Sequence, residues 1–385
     1  MTGNIKLDKQ SKIKILAVIL LGIVFISLMV YANTNNPGSN SADKSIKYVK
    51  AEVLNIEENN LCEDENAENM LTGDQKITIK IKSGKHKDEQ STIINYVSAL
   101  HNVPVNKGEN IIVRVDTKGN GSYEFSAYNY NRAPILYSFI GIFLIALCVI
   151  GGRKGIKAMC ALVYTMLSIF FILIPMIMRG YSAVGVTIFL VCVTTAACLI
   201  IIDGINGKTI SAMIGTISGV LISGILTMVV GKLIHITGFN MQEAESLMLV
   251  SGDGGLKIKG LLICGVLLSS LGAVMDVAMS IASSINEIHF VNSKLKWKEL
   301  FVSGMNIGKD AMGTMANTLI LAFTGSSLNL MLLIYSYGIP YAQLINTDLI
   351  AIEILQGIAG SLGIILAVPI SAYAASKIVV KINMY

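Results

Sequence analysis

Asp276 is the residue of greatest chemical interest in this sequence. It sits in the run Gly272-Ala273-Val274-Met275-Asp276-Val277-Ala278-Met279-Ser280, which is otherwise small or apolar. A carboxyl group near the centre of a bilayer costs a few kcal/mol even on permissive insertion scales. Such a group calls for either a proton or cation relay, or a hydrogen-bonded clamp between two helices. Helical spacing puts Gly272, Ala273, Met279 and Ser280 within one turn of it, with Ser269 and Ser283 a turn further out. Counted back from Ser284 at 1.5 Å per residue, the acid lies about 12 Å inside its span. The following helix carries Thr314, Asn317 and Thr318 at about 8–13 Å from Lys309, the same depth. Thr324 and Gly325 continue that face. Asp276 with Asn317 and Thr314 is therefore the expected polar centre, sheltered by protein or water rather than lipid.

Other chemistry finds little support. His86, His101, His235 and His289 are scattered without HExxH spacing, and His235 and His289 fall at loop edges. No glycine-rich phosphate loop ending in GK[ST] is present. Asp203 and Asp276 are the only pair for an aspartyl intramembrane protease, but Asp203 belongs to the turn Asp203-Gly204-Ile205-Asn206-Gly207-Lys208. Glu353 and Asp310 lie at the mouths of their spans, where water can reach them. The acidic cluster Glu57, Glu58, Glu63, Asp64, Glu65 and Glu68 reads as a solvated loop. Cys62, Cys148, Cys160, Cys192, Cys198 and Cys264 have neither metal-ligand spacing nor a disulfide framework. The expectation is a protein that is not an enzyme, with no cofactor, no metal and no nucleic-acid partner.

The elements that position Asp276 follow from hydropathy. Of 385 residues 53% are apolar and only 14% charged, against about 25% charged in ordinary soluble domains, and the mean hydropathy is +0.64. About 20 apolar residues cross a bilayer. Eight spans fit the uncharged runs: 14–32, 133–152, 158–178, 181–202, 209–231, 259–284, 311–337 and 353–377. A mainly α-helical, multi-pass membrane protein excludes a cytosolic enzyme or a DNA-binding domain. Short loops on one side carry fourteen basic residues, including Lys6, Arg153, Lys208, Lys298 and Lys377, against Arg179, Lys232, Lys257 and Lys259 opposite. Positive residues stay inside, so both termini are expected in the cytoplasm. The first span reads as a retained anchor, with a cleaved signal ending near Val30-Tyr31-Ala32 as the alternative.

Residues 33–132 differ in kind. After the linker Asn33–Ser41 come the alternating runs Tyr48–Ile56, Lys76–Lys82, Ile112–Asp116 and Tyr123–Tyr128. Turns are expected at Gly73-Asp74, Ser83-Gly84-Lys85, Lys107-Gly108-Glu109 and Lys118-Gly119-Asn120-Gly121. This reads as a small antiparallel β domain, a five- or six-stranded OB-like barrel, extracytoplasmic and inserted between helices 1 and 2. The organisation is thus 1–32, tail and first helix; 33–132, linker and β domain; 133–385, a seven-helix transmembrane domain.

Packing signals accompany the spans. Ser211, Gly215, Gly219, Ser223, Thr227 and Gly231 recur every fourth residue, as in small-xxx-small helix contacts. Gly357, Gly360, Ser361 and Gly363 play the same part in the last span, where Pro369 can kink the helix. The segment Asn292–Leu300, with Trp297 between lysines, suits an interfacial helix. The loop 232–258 carries Gln242, Glu243, Glu245 and Ser251-Gly252-Asp253-Gly254-Gly255.

This layout resembles the YibE/F-like family of bacterial membrane proteins. The resemblance is most specific over Gly272–Ser284 with Glu287, and over Gly308-Lys309-Asp310-Ala311-Met312-Gly313-Thr314-Met315-Ala316-Asn317-Thr318-Leu319. It implies a multi-pass protein of the bacterial cell membrane and little about chemistry. A fainter outline is similar to resistance-nodulation-division permeases, which also place an external domain after span one and an acid in a span. No Arg precedes Glu287, however, the external domain is small and the spans exceed six. Two functions are expected from these readings. One is a proton- or cation-coupled transporter or exporter of unknown substrate, working through Asp276. The alternative is a non-transporting scaffold or envelope assembly factor whose β domain binds a partner. The partners are the lipid bilayer and a second copy or another membrane protein, through the glycine faces.

Overall fold

A computed structural model describes residues 22–34, 45–64, 67, 70–118, 122–236, 239, 241, 244, 246–247, 258 and 260–382. Two compact units emerge, Gly38–Leu147 and Met1–Pro37 with Cys148–Tyr385.

The first unit is built on five antiparallel strands: β1 (Ile46–Glu63), β2 (Leu71–Ile81), β3 (Gln90–Val97), β4 (Asn110–Thr117) and β5 (Tyr123–Tyr130). They form one sheet in the order β3-β2-β1-β4-β5. Alternation explains the register. Ile77, Ile79 and Ile81 are fully buried while Lys76, Thr78 and Lys80 between them are not, and Val53 pairs with Ile79 as Val49 pairs with Val113. Register shifts at Val53/Asn55 and Ile56/Glu58 let the long β1 curl, so that it serves both β2 and β4. The edge strands β3 and β5 approach each other without a shared ladder. The result is a half-barrel.

Inside it lies a polar pair. Gln75 and Asn95 are buried; Asn95 donates to Gln75 Oε1 (3.3 Å) and to the Val103 carbonyl (2.8 Å). Gln75 donates to the Val105 carbonyl (3.1 Å) and accepts from the Val105 amide (2.9 Å). These bonds hold the β3–β4 connection across the core, with Val103 and Val105 buried beside it.

Three expectations for this unit change. The acidic segment Glu57–Glu63 is not a loop but the distal half of β1, its carboxylates exposed beside β2; Glu65 and Glu68 lie outside the described residues. Gly73 is not a turn: it pairs with Leu61 inside β2 at φ 132°, where any side chain would run into the Asn60 carbonyl. The chain reverses instead where the Asp64 amide donates to the Met70 carbonyl (2.8 Å). Strand β3 had no counterpart in the sequence reading, because Ile93-Ile94 and the inward Asn95 interrupt its alternation. The turn at Gly119–Gly121 lies outside the described residues.

The second unit is helical. Its helices are α1 (Gly22–Asn33), α2 (Ala133–Met178, beginning in the first unit), α3 (Ala183–Asp203), α4 (Gly207–Leu233), α5 (Leu261–Val291), α6 (Trp297–Ser326), α7 (Leu328–Ser336), α8 (Tyr341–Leu344) and α9 (Asp348–Ile382). Among the described residues five helices, α2, α3, α4, α5 and α9, are long and apolar enough to cross a membrane, with mean hydropathies of 2.0 to 2.6. Counting the pair α6 and α7, bent by 58°, as one span makes six. The eight expected spans differ from this at two places. The runs 133–152 and 158–178 form the single element α2, interrupted at Gly152 (φ 53°, ψ −132°), and most of span 14–32 lies outside the described residues. The bend after α6 falls at Gly325-Ser326-Ser327, the small-residue type of helix break.

The segment Asn292–Leu300 is not a separate interfacial helix. Asn292–Lys296 is the connection, and Trp297–Leu300 opens α6, capped where Glu299 accepts from the Lys296 amide (2.7 Å). Central to the bundle is α9, packed against α4, α5 and α6. A core of Leu267, Val274, Ile281, Ile285, Ile364 and Ala367 fills the space between them. The acidic and glycine-rich parts of loop 232–258 lie outside the described residues.

Candidate functional site

Helix α5 is two-faced. Val274, Val277, Ala278 and Ile281 are buried toward α4 and α9, whereas Ser269, Gly272, Asp276, Ser280 and Glu287 form one exposed stripe. Among the described residues Asp276 has no hydrogen-bond or ion-pair partner. On α6 the residues Thr314, Asn317 and Thr318 are likewise exposed. Thr314 donates to the Ala311 carbonyl of its own helix (2.9 Å), and Thr318 to that of Thr314 (2.8 Å).

The expected centre of Asp276, Asn317 and Thr314 is thus not joined by hydrogen bonds, and it opens on the exposed side of the bundle. The reason is packing. Gly304 and Gly308 bring α6 against Ile285, Ala372 and Val368, so the apolar faces of α5 and α6 share the core and their polar faces turn outward. The sequence reading missed these two glycines, although Gly304-x-x-x-Gly308 has the spacing of a close helix contact.

The glycine faces are in close contact. Gly215 on α4 meets Ser371 and Ala278, and a methyl group on Gly219 would come within 2.7 Å of both Ala367 and Val274. Ser223 lies against Gly363; Gly360 faces Leu319, and Gly357 faces Phe323.

Other candidates separate clearly. Asp203 pairs with Lys208 (3.2 Å) in the turn before α4, where Asn206 caps Thr209. Asp310 is exposed. His289, expected at a loop edge, is buried in the last turns of α5 at 3% exposure. Glu353, expected at a watery mouth, has one carboxylate oxygen that is buried and, among the described residues, without a hydrogen-bond partner. In the half-barrel, Glu57 accepts from Thr78 (2.8 Å) and pairs with Lys76 (3.1 Å). Those contacts hold the Glu57 carboxyl below its ordinary range and push the Lys76 ammonium up. Among the described residues no group of three or more His, Cys, Asp or Glu could hold a metal.

These features define a helical membrane protein preceded, before α2, by a small antiparallel half-barrel. Residues 139–381 match the YibE/F-like protein family, and residues 45–130 match the YibE/F family N-terminal domain. The chain belongs to the YibE/F-like family. No curated protein and no solved structure matches it.

Proposed function

We propose that the chain is a proton- or cation-coupled secondary transporter or exporter of the bacterial cell membrane, coupled through Asp276. The observation that carries this reading is the position of that carboxylate. It lies midway along α5 on a stripe of Ser269, Gly272 and Ser280, with no partner among the described residues to hold it in one state. An intramembrane ionisable group marks an ion pathway by default. Because the stripe opens away from the core, the path runs along the α5–α6 surface, completed by a second copy or another membrane protein.

The eight-span count follows when the uncharged run 14–32 counts as one span, α2 is divided at Gly152, and α6 with α7 is one span. Basic loop residues then put both termini in the cytoplasm and the OB-like β domain outside. The test is ion flux in proteoliposomes under an imposed gradient. Asp276→Asn is expected to cut flux at least tenfold, while Glu287→Gln on the same face leaves it near wild type. Full flux in Asp276→Asn overturns the reading.

A second reading, an envelope scaffold, draws on the half-barrel. A cleft of 600 Å³ there is lined by Lys47, Tyr48, Lys85, His86 and Tyr123, an aromatic and basic surface suited to an acidic partner. Tyr48→Ala with Lys85→Ala separates the two: a scaffold loses its role, and a carrier keeps its flux.

A further inference from the structure

One end of the half-barrel carries a charge where its strand pattern calls for an apolar residue. Inward positions alternate along a strand: Val49, Ala51 and Val53 of β1 are buried, and Lys47 falls on the same face one step before them. Lys47 pairs with Val115 of β4, whose inward series Ile111, Val113 and Val115 continues to Thr117. Thr117 in turn pairs with Tyr123 of β5, two residues before the inward Phe125. Lys47, Thr117 and Tyr123 thus form the last inward layer, next to Val49, Val115 and Phe125. The β2–β3 connection lies against this end. A Cβ on Gly84 would come to 3.0 Å from Val49 Cγ1, and the His86 ring lies 4.1 Å from that of Tyr123. Between these walls is the cleft of 600 Å³, which Lys85 also lines.

An inward lysine can guard a sheet edge, but β1 is the central strand of its sheet, so that role does not apply. Elsewhere in this unit Lys76, Lys80, Lys82, Arg114 and Lys118 pair with carboxylates, whereas among the described residues Lys47 and Lys85 do not. No Asp or Glu lines the cleft. Glu89, which holds two of the wall residues, has both oxygens engaged, one by His86 Nδ1 (3.0 Å) and one by the Tyr123 hydroxyl (2.7 Å). A cation would meet two ammonium groups here, and a bare phosphate would leave the apolar wall of Val49 and Val115 unused. We propose that this end of the half-barrel binds an organic monocarboxylate, either a free acid or the C-terminal residue of a partner chain. Its oxygens accept from Lys47 and from the Thr117 hydroxyl, diagonal neighbours on one face of the β1–β4 ladder. Its apolar body lies on the valines. Barrel mouths are a common place for such ligands, and the volume is in their range. The cleft is the one that the scaffold reading uses, but binding here rests neither on that reading nor on Asp276.

The test uses the full chain in phosphatidylcholine nanodiscs, with 3-phenylpropionate as probe and 3-phenylpropanamide as its uncharged analogue. Calorimetry is expected to show saturable phenylpropionate binding beyond that of empty nanodiscs, with the amide at least tenfold weaker. Lys47→Met keeps the aliphatic stem, removes the ammonium and weakens phenylpropionate at least tenfold. Lys50→Met removes the same charge from the opposite face of the same strand and leaves binding unchanged. Thr117→Val, which alters no charge, weakens the probe severalfold and guards against a Lys47 variant that merely misfolds. Asp276→Asn binds as wild type, so failure of the carrier reading and failure of this site are read apart. N-acetyl-alanyl-alanyl-phenylalanine with a free carboxylate distinguishes the sources: tighter binding than phenylpropionate assigns the site to a chain terminus, weaker binding to a free acid. Absence of saturable binding overturns the proposal. So do equal losses in Lys47→Met and Lys50→Met, or displacement of the probe by inorganic phosphate at equal concentration.

Discussion

Ser371 of α9 occupies the place where a side chain at position 215 of α4 would have to go, which makes Gly215 part of the contact rather than a neutral helix residue. Gly219 is confined in the same way by Ala367 and Val274. Overpacking a filled core costs about 1–3 kcal/mol. Gly219→Val is therefore expected to lower the thermal midpoint of the purified chain clearly. Gly313 on α6 has nothing within 4 Å, and Gly313→Ala is expected to be neutral or stabilising by up to about 1 kcal/mol. Equal effects from the two would show that helix propensity, not contact, sets the stability.

Gln75 and Asn95 hold the β3–β4 connection by bonds that no other group replaces. Gln75→Leu removes both bonds to Val105 and leaves that backbone amide and carbonyl unpaired. A loss of about 1–3 kcal/mol follows from the desolvation of such groups. Hydrogen exchange at Val105 in the full chain is expected to accelerate, while β4 stays protected.

Glu57 and Asp88 titrate below their ordinary values, Glu57 through Thr78 and Lys76, Asp88 through Lys80. A carboxyl with a lowered folded pKa contributes stability that is complete above its unfolded value and lost as pH falls through the folded one. The ordinary values are 4.5 and 3.8, so the half-barrel is expected to hold its protection from pH 7 to about 5 and lose it progressively below. Hydrogen exchange along β2 measured against pH checks this. Glu57→Gln should flatten the acid limb.

Lys377 of α9 places its ammonium 3.9 Å from the centre of the Trp297 ring at the start of α6, and Tyr373 meets the same ring edge-on at 6.1 Å. Such a cation–π contact contributes about 0.5–2 kcal/mol. Trp297 is the one tryptophan of the chain, so tryptophan fluorescence reports the surroundings of this ring alone, where Lys377 is the nearer of two ammonium groups. Lys377→Gln is expected to shift the emission and loosen the first turn of α6; an unchanged spectrum removes the contact from the account.

Much of the organisation was legible because it rests on local pattern. Uncharged runs mark helices wherever lipid is the solvent, so α3, α4, α5 and α9 lie close to the spans read from hydropathy. Alternation marks β2 over Ile77–Ile81, and β4, because the inward side chains there are isoleucines and valines. Where an inward position is polar, as at Asn95, the pattern breaks and β3 disappears from the reading, since burial there is made tolerable by a partner 20 residues away in sequence. Likewise Gly73 signals a turn by type, yet pairing with Leu61 keeps it in a strand.

Sequence by itself determined that Asp276 stands in an apolar helix with hydroxyl neighbours, because depth and helical face depend only on the count of residues along one chain segment. Only the tertiary structure decided which way that face turns. The direction is set by contacts between distant helices: Gly308 seats α6 against Val368 of α9, and Gly215 seats α4 against Ser371. Once those apolar and glycine faces close on one core, the stripe through Asp276 is left on the open side.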